Sequence, residues 1–176
     1  GSIFFSGRNQ VITGKSADKE RTSIDNFYDY HVGFRLGGAI KKGKLFYFTS
    51  AELSRKNEPV LFAPGSSNTS IPLAVAKAIA DTIQARYGYN SGSYADIAVQ
   101  SNSNKYFLRF DWNINQRNKL HVSNNFVQGF GDYLERGANF TNYESQGYRH
   151  ISKTNSTVLE LKSTLSEKLS NDLILG

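Results

Sequence analysis

The sequence contains no cysteine. That excludes a disulfide framework, a thiolate metal site and a cysteine nucleophile, and it leaves the redox compartment open. Long apolar runs are also missing. Nothing approaches the roughly 20 residues of a membrane-spanning helix, and the longest candidate, Ile71 to Ile83, is interrupted by Pro72, Lys77 and Asp81. A secretory apolar region is absent as well: Gly1-Ser2 runs directly into Ile3-Phe4-Phe5. A signal for export, if the protein is exported, is therefore expected upstream.

Catalytic grammar is equally sparse. His31, His121 and His150 stand in no H-E-x-x-H or similar spacing, so they read as ordinary polar residues rather than ligands. Gly37-Gly38 is followed by no helix and cannot be a phosphate loop. Glu52 and Asp111 could approach across paired strands as a glycosidase pair does. Membership in one charge network with Arg35, Arg109 and Lys162 is the simpler expectation. Asn68, Asn139 and Asn155 open N-x-S/T triplets, but nothing in their setting calls for glycosylation. The expectation is a protein with no catalytic residues, metal site or cofactor, and not an enzyme.

What is present is aromatic and alternating. The 176 residues suffice for one domain, and aromatics make up 13% of them, with 10 Tyr and 12 Phe, a bias toward β structure. A net charge of +6 raises nucleic acid or anionic lipid as partners. The 21 Lys and Arg are scattered, however, with small clusters only at Lys41-Lys42-Lys44 and Arg117-Lys119. A solvated surface is the better reading, and mean hydropathy is low at −0.47.

The clearest pattern runs from Lys105 to Asn115. Tyr106, Leu108, Phe110, Trp112 and Ile114 are apolar, while Lys105, Arg109, Asp111, Asn113 and Asn115 are polar; Phe107 alone breaks the rule. In a strand this gives one greasy face and one charged face. The same alternation predicts strands over Tyr28 to Leu36, Leu45 to Leu53 and Thr157 to Leu165. Weaker patterns predict strands over Ile3 to Ile12, Leu120 to Val127 and Asp172 to Leu175. The intervening segments alternate in length. Those near 40–44, 115–118 and 167–171 are short and polar, whereas 13–27, 56–104 and 132–153 are long. Short turns at one end and long loops at the other suit an outer-membrane barrel.

One long loop, 56–104, is expected to carry a helix. Pro72 pre-sets its first turn, Ser70 is available as a cap, and Gly88 supplies the left-handed stop. Leu73, Ala76, Ile79, Ala80 and Ile83 form its apolar stripe, which suits a small lid packed on its own loop.

Alternation alone does not say which face is inside. A soluble OB-fold-like barrel binding single-stranded nucleic acid would also place a helix between the third and fourth strands. Three features favour the membrane arrangement: strand length, two further strands after the fifth, and aromatics sorted by depth. Tyr47 and Trp112 fall near the short-turn end. Tyr28, Tyr30 and Tyr106 fall near the other, with Phe34 and Leu108 between, as in the lipid-facing girdles of a barrel. The opposite face carries Arg35, Glu52, Arg109, Asp111, Glu160 and Lys162. Burying these in a narrow core would cost several kcal/mol per unpaired ion, whereas a wide lumen keeps them wet. Tyr87, Tyr89, Tyr94, Tyr133 and Tyr143, expected to be exposed on loops, are the candidates for ligand contact.

These residues also carry a resemblance. Asn104 to Asn115 resembles the K-x-x-x-R-x-D-W-N-I-N hairpin of TonB-dependent outer-membrane receptors, specifically the Oar-like group (carboxypeptidase-regulatory-like-domain receptors). Gly37 to Phe48 is similar to that group's G-G-P-I-x-K-x-K-L-F-F-F hairpin, with Ala39 in place of the usual Pro. Arg86-Tyr87-Gly88-Tyr89-Asn90-Ser91-Gly92 resembles the Y-G-Y-D-P-G segment after the loop helix. Gly7-Arg8-Asn9-Gln10 followed by Gly14-Lys15 resembles the R-N-Q-x-L-x-G-K strand and loop. The matches span nearly the whole chain in order.

The resemblance implies an all-β, antiparallel up-and-down meander, residues 1–176 being about seven strands of a barrel of roughly 22. It implies a receptor in the outer membrane of a Gram-negative bacterium that takes up an unidentified ligand. Its partners would be outer-membrane lipid, a plug domain and the TonB complex, both reached through parts not seen here, with a surface lipoprotein as a further candidate and no nucleic acid.

Overall fold

Alternation of small and bulky apolar residues with polar ones lets each strand present two chemically different faces, and the register of pairing decides whether those faces line up. A computed structural model of the chain describes residues 1–14, 16–17, 20–21 and 25–176. Seven strands form one antiparallel sheet, each beside its neighbour in sequence. They are β1 (Ser2–Asn9), β2 (Tyr28–Lys41), β3 (Leu45–Pro59), β4 (Ala98–Asn113), β5 (Asn118–Tyr133), β6 (Tyr148–Ser166) and β7 (Leu169–Leu175). The fold is thus an all-β meander with one helix, α1 (Leu73–Tyr87), in the β3–β4 loop. The sheet does not close on itself, and β1 and β7 are its edges. No helix among the described residues is long and apolar enough to cross a membrane.

The short connections have local causes. Gly43 takes φ 70°, which a side chain disfavours, and closes the β2–β3 turn with Lys44 N–H donating to Lys41 O at 3.0 Å. A register shift between Ala39 and Lys41 accompanies it. In the β4–β5 turn the Asn115 side-chain oxygen accepts from the N–H groups of Arg117 and Asn118, at 2.9 and 2.8 Å. The same device ends β1 earlier than the predicted Ile12. Asn9 Oδ1 accepts from Val11 and Ile12 N–H at 2.9 and 3.1 Å, turning the chain. Residues 15, 18–19 and 22–24 of the expected 13–27 loop lie outside the described residues, and within it a ribbon pairs Ser16–Ala17 with Glu20–Arg21.

Register aligns the faces across all seven strands. Ile3 pairs with Phe34, Phe34 with Ala51, Ala51 with Tyr106, and Tyr106 with Phe126. Toward the short turns, Trp112 pairs with Leu120, Leu120 with Leu161, and Leu161 with Leu173. The result is one continuous apolar face. It is interrupted at Asn124, whose amide donates across to Thr157 Oγ1 at 2.8 Å and to Asn155 Oδ1 at 2.9 Å.

The apolar band runs obliquely to the pairing direction. On β2 it begins at Tyr28, which pairs with Asn57; Asn57 pairs with Gln100, well beyond Tyr106 on β4. On β6 it begins only at Leu159, which pairs with Val122; Val122 pairs with Phe110, below Tyr106. From β2 to β6 the band therefore steps toward the short-turn end. On β2 it runs nine residues, Tyr28 to Leu36, within the ~9–11 that a tilted strand needs to cross a bilayer, and on β4 seven, Tyr106 to Trp112.

Nothing in the described chain covers this face. Ile3 and Phe5 are 85% and 72% exposed, and Phe34 and Leu108 are each 42% exposed. The only buried hydrophobic residues among those described are Ala76 and Tyr143, both away from the sheet. On the other face Phe107, the break in the alternation, sits with its ring 6.1 Å from that of Phe48. There too Phe4 lies over Gly33, where a Cβ would come within 2.4 Å of its ring and 2.6 Å of Ala51 O. Only glycine admits that approach.

Candidate functional site

The polar face of the sheet carries the charge. Arg35, Glu52, Arg109, Asp111, Glu160 and Lys162 all project from it, as strand parity requires. They form separate clusters rather than one network. Near the short turns, Arg109 grips Asp111 through Nε at 2.8 Å and Nη2 at 2.6 Å, and His121 Nδ1 contacts the same carboxylate. Glu160, opposite His121 in register, pairs with Lys162 at 2.8 Å. Further up, Glu52 pairs with Lys105 at 2.8 Å. Arg35 stands apart, 5.5 Å over the Phe4 ring.

The expected approach of Glu52 to Asp111 does not occur. Asp111 is opposite Phe46, six residues along β3 from Glu52, or about 20 Å at strand rise. Each carboxylate already holds its own cation, so no acid–base pair forms. Among the described residues no three His, Asp or Glu side chains converge as a metal cage.

Tyr28, Tyr30, Phe34, Tyr47, Tyr106, Leu108 and Trp112 all share the apolar face. Tyr28 and Tyr30 neighbour each other at 5.8 Å between ring centroids, and Tyr106 and Phe126 at 6.2 Å.

Above the long-loop end, two loops build the compact part of the molecule, a cap over that end of the sheet. The β3–β4 loop and the β5–β6 loop are joined by backbone and side chain together. Ser70 N–H and Oγ both donate to Ala138 O, at 2.7 and 3.0 Å. Glu144 N–H donates to Ser93 O, and Ser93 N–H returns to Glu144 Oε2, both at 2.9 Å. Ser70 is thus spent on the other loop and does not cap α1, whose first residue follows Pro72 without a side-chain cap. The helix ends as predicted, with Gly88 at φ 65° donating to Gln84 O.

Only part of the predicted helix stripe is used. Ala76 is fully buried, while Leu73 and Ile79 are each 46% exposed. Small residues let α1 sit close to Tyr143, whose hydroxyl donates to Ala76 O at 2.8 Å. Tyr143 is 8% exposed, contrary to the expectation of an open ligand contact. Burial raises its pKa, with the neighbouring Tyr94 adding to the effect. The Tyr94 ring lies edge-on to it at 6.3 Å. Tyr87, Tyr89 and Tyr133 do remain exposed, and Tyr133 ends β5 stacked on Tyr148 at 5.1 Å.

The residue that holds the cap together was invisible in the sequence. Arg136, 7% exposed, donates from Nη1 to Ala95 O at 2.7 Å and from Nε to Asn142 O at 3.1 Å. Its partners are carbonyls, one of them 41 positions away, so no motif could announce it. Its third nitrogen, Nη2, is shielded and has no partner among the described residues. Burial pulls the guanidinium pKa below its ordinary value, and the charge of Asp96 opposes the shift.

Arg136 lines a cavity of about 680 Å³ where the cap meets the charged face of the sheet. Phe27, Phe62, Val99, Leu134 and Phe140 supply apolar wall. Phe62 holds φ 60°, in the left-handed region. For a bulky residue that conformation costs of order 1–3 kcal/mol and must be imposed by its surroundings.

No protein-family model, curated protein or solved structure matches this chain.

Proposed function

We propose that the chain forms part of the wall of an outer-membrane β-barrel belonging to a TonB-dependent receptor, and that the receptor imports a ligand captured at the loop end. The observation that carries this reading is the uncovered apolar face, continuous over seven strands and oblique to their pairing. A soluble protein rarely exposes an apolar patch beyond a few hundred Å². In a bilayer that face meets acyl chains, and strands that cross it at a tilt need a band set obliquely to their pairing if the hydrophobic belt is to lie level.

Three further features agree. The edges β1 and β7 leave backbone donors and acceptors that lipid cannot satisfy, so neighbouring strands of a larger barrel are required there. The paired charges would then face a wet lumen and the plug, where such pairs are worth only about 0–1 kcal/mol each. The loops with their cap would stand on the cell surface. The motifs from Gly37 to Phe48 and from Asn104 to Asn115 supply the link to the Oar-like group.

The OB-fold alternative fits less well. That fold rolls five strands into a Greek-key barrel, whereas this sheet is an open meander in sequence order. In cells the protein is expected in the outer-membrane fraction, resistant to alkaline carbonate extraction. Recovery in the soluble fraction, with salt-sensitive binding to single-stranded DNA, would replace this reading with the other.

A further inference from the structure

We infer that the apolar face carries, at its long-loop margin, a binding site for a lipid headgroup bearing a phosphate monoester. The inference rests on reading that face as the one turned to lipid. Among the described residues, and outside the β2–β3 turn, the charged strand residues of this face are Arg55, Asp132, Arg149 and Lys153. They gather at one place. Arg55 pairs with Asn102, Asn102 with Phe130, and Phe130 with Ile151. Arg149 and Asp132 form the next row toward the loops, and Lys153 and Gln128 the next row toward the short turns. Between them lies a groove of about 310 Å³ whose lining includes Arg55, Arg149, Asn104 and Gln128 and no carboxylate.

Charge is out of balance there. On the opposite face at this end the cations are matched, Arg8 to Asp29 at 3.1 Å, Lys56 to Glu58 at 2.7 Å and Lys105 to Glu52 at 2.8 Å. At the groove, Asp132 takes Arg149 alone, through Nε at 2.6 Å and Nη2 at 3.0 Å. Arg55 is held by the neutral oxygens of Ser54, Ser103 and Asn104. Three cations, Arg55, Arg149 and Lys153, against the one carboxylate of Asp132 leave two positive charges over. A phosphate monoester, at about −1.5 to −2 near pH 7, answers that surplus. Guanidinium groups also match its oxygens two at a time.

The position selects a lipid over a free anion. Arg55 is the next residue on this face beyond Leu53. The Arg149 guanidinium lies 4.1 Å over the Phe130 ring, and Lys153 Nζ 5.7 Å over that of Phe126. Cations resting on aromatic rings at the margin of an apolar face can hold a headgroup while its acyl chains lie along that face.

The test puts a bimane fluorophore on Gln128→Cys, inside the groove, in the full-length protein reconstituted into phosphatidylcholine vesicles. Quenching is compared for small fractions of phosphatidate, phosphatidylglycerol and phosphatidylcholine, each brominated high on its acyl chains. Phosphatidate is expected to be enriched beside the label by at least about fivefold over phosphatidylcholine, and above phosphatidylglycerol. Lys153→Gln is expected to lower that enrichment and Arg149→Gln with Lys153→Gln to abolish it, while Lys56→Gln on the opposite face leaves it unchanged. The single variant answers the question if the double one does not fold, and gel migration without heating reports folding in each.

Quenching by none of the three lipids would overturn both the site and the lipid-facing wall. Equal quenching by all three would overturn the site and leave the wall. Enrichment of phosphatidylglycerol equal to that of phosphatidate would overturn the monoester. Enrichment unchanged in the folded variants would show that these cations do not hold the headgroup. Enrichment erased by millimolar inorganic phosphate would show a site for the free anion instead.

Discussion

Phe34→Arg and Leu108→Arg are each expected to destabilise the membrane-inserted protein by about 2–4 kcal/mol, the cost of a cation on the lipid face near the bilayer midplane. Both residues stand on the uncovered apolar face, on β2 and β4, between the Tyr28–Tyr30 and Tyr106 ends of the band and the short turns. The same change at Ser50 or Asn113 is expected to be mild. Those positions lie on the charged face, beside groups already solvated or paired. The comparison is made by urea unfolding in lipid vesicles. Equal costs at the two sets would mean that the faces are not in different solvents.

Arg136→Met is expected to open the cap. Met matches much of the side-chain volume but gives up the bonds to Ala95 O and Asn142 O. Hydrogen bonds to a charged donor contribute about 1.5–3 kcal/mol each, so the loss of two should cost roughly 3–6 kcal/mol in local opening. Arg136 bonds no residue of the seven-stranded sheet, which is expected to keep its amide protection, since loops and strands open as separate units. Limited proteolysis of the 60–97 and 134–147 segments measures the effect. An unchanged cleavage rate would show that the Ser70–Ala138 and Ser93–Glu144 links suffice without the guanidinium.

These two sites differ in how far the sequence disclosed them. Leu108 was legible because strand geometry writes itself into alternation, and Lys105 to Ile114 alternates almost without fault. Gly88 was legible because a left-handed helix stop favours glycine. Strand ends were less so. β3 runs on to Pro59 and β4 begins at Ala98, within a stretch expected to be loop, because both faces are polar there and leave no alternation to detect. β6 likewise starts at Tyr148, where Arg149, His150, Lys153 and Asn155 follow no binary pattern. Backbone pairing alone carries those extensions.

The cap was the least legible part. Ser70 looked like a helix cap and Tyr143 like an open ligand contact, yet both are used to join the loops. Tertiary contacts to carbonyls leave no trace in residue spacing. Register was also hidden. Alternation assigned Glu52 and Asp111 to one face, but only the pairing of Asp111 with Phe46 shows how far apart they lie. The oblique course of the apolar band, the feature that best fits a tilted transmembrane wall, emerges only when all the registers are combined.

The absence of cysteine makes the central claim open to a clean measurement. Single substitutions Leu108→Cys, Arg109→Cys, Phe110→Cys and Asp111→Cys on β4 can each carry one fluorophore in the folded, membrane-inserted protein. Quenching is then read from brominated acyl chains and from aqueous iodide. Positions 108 and 110 are expected to be quenched from the lipid, and 109 and 111 from the water, in strict alternation. Quenching of all four by iodide and none by brominated lipid would contradict a membrane wall, and with it the outer-membrane receptor.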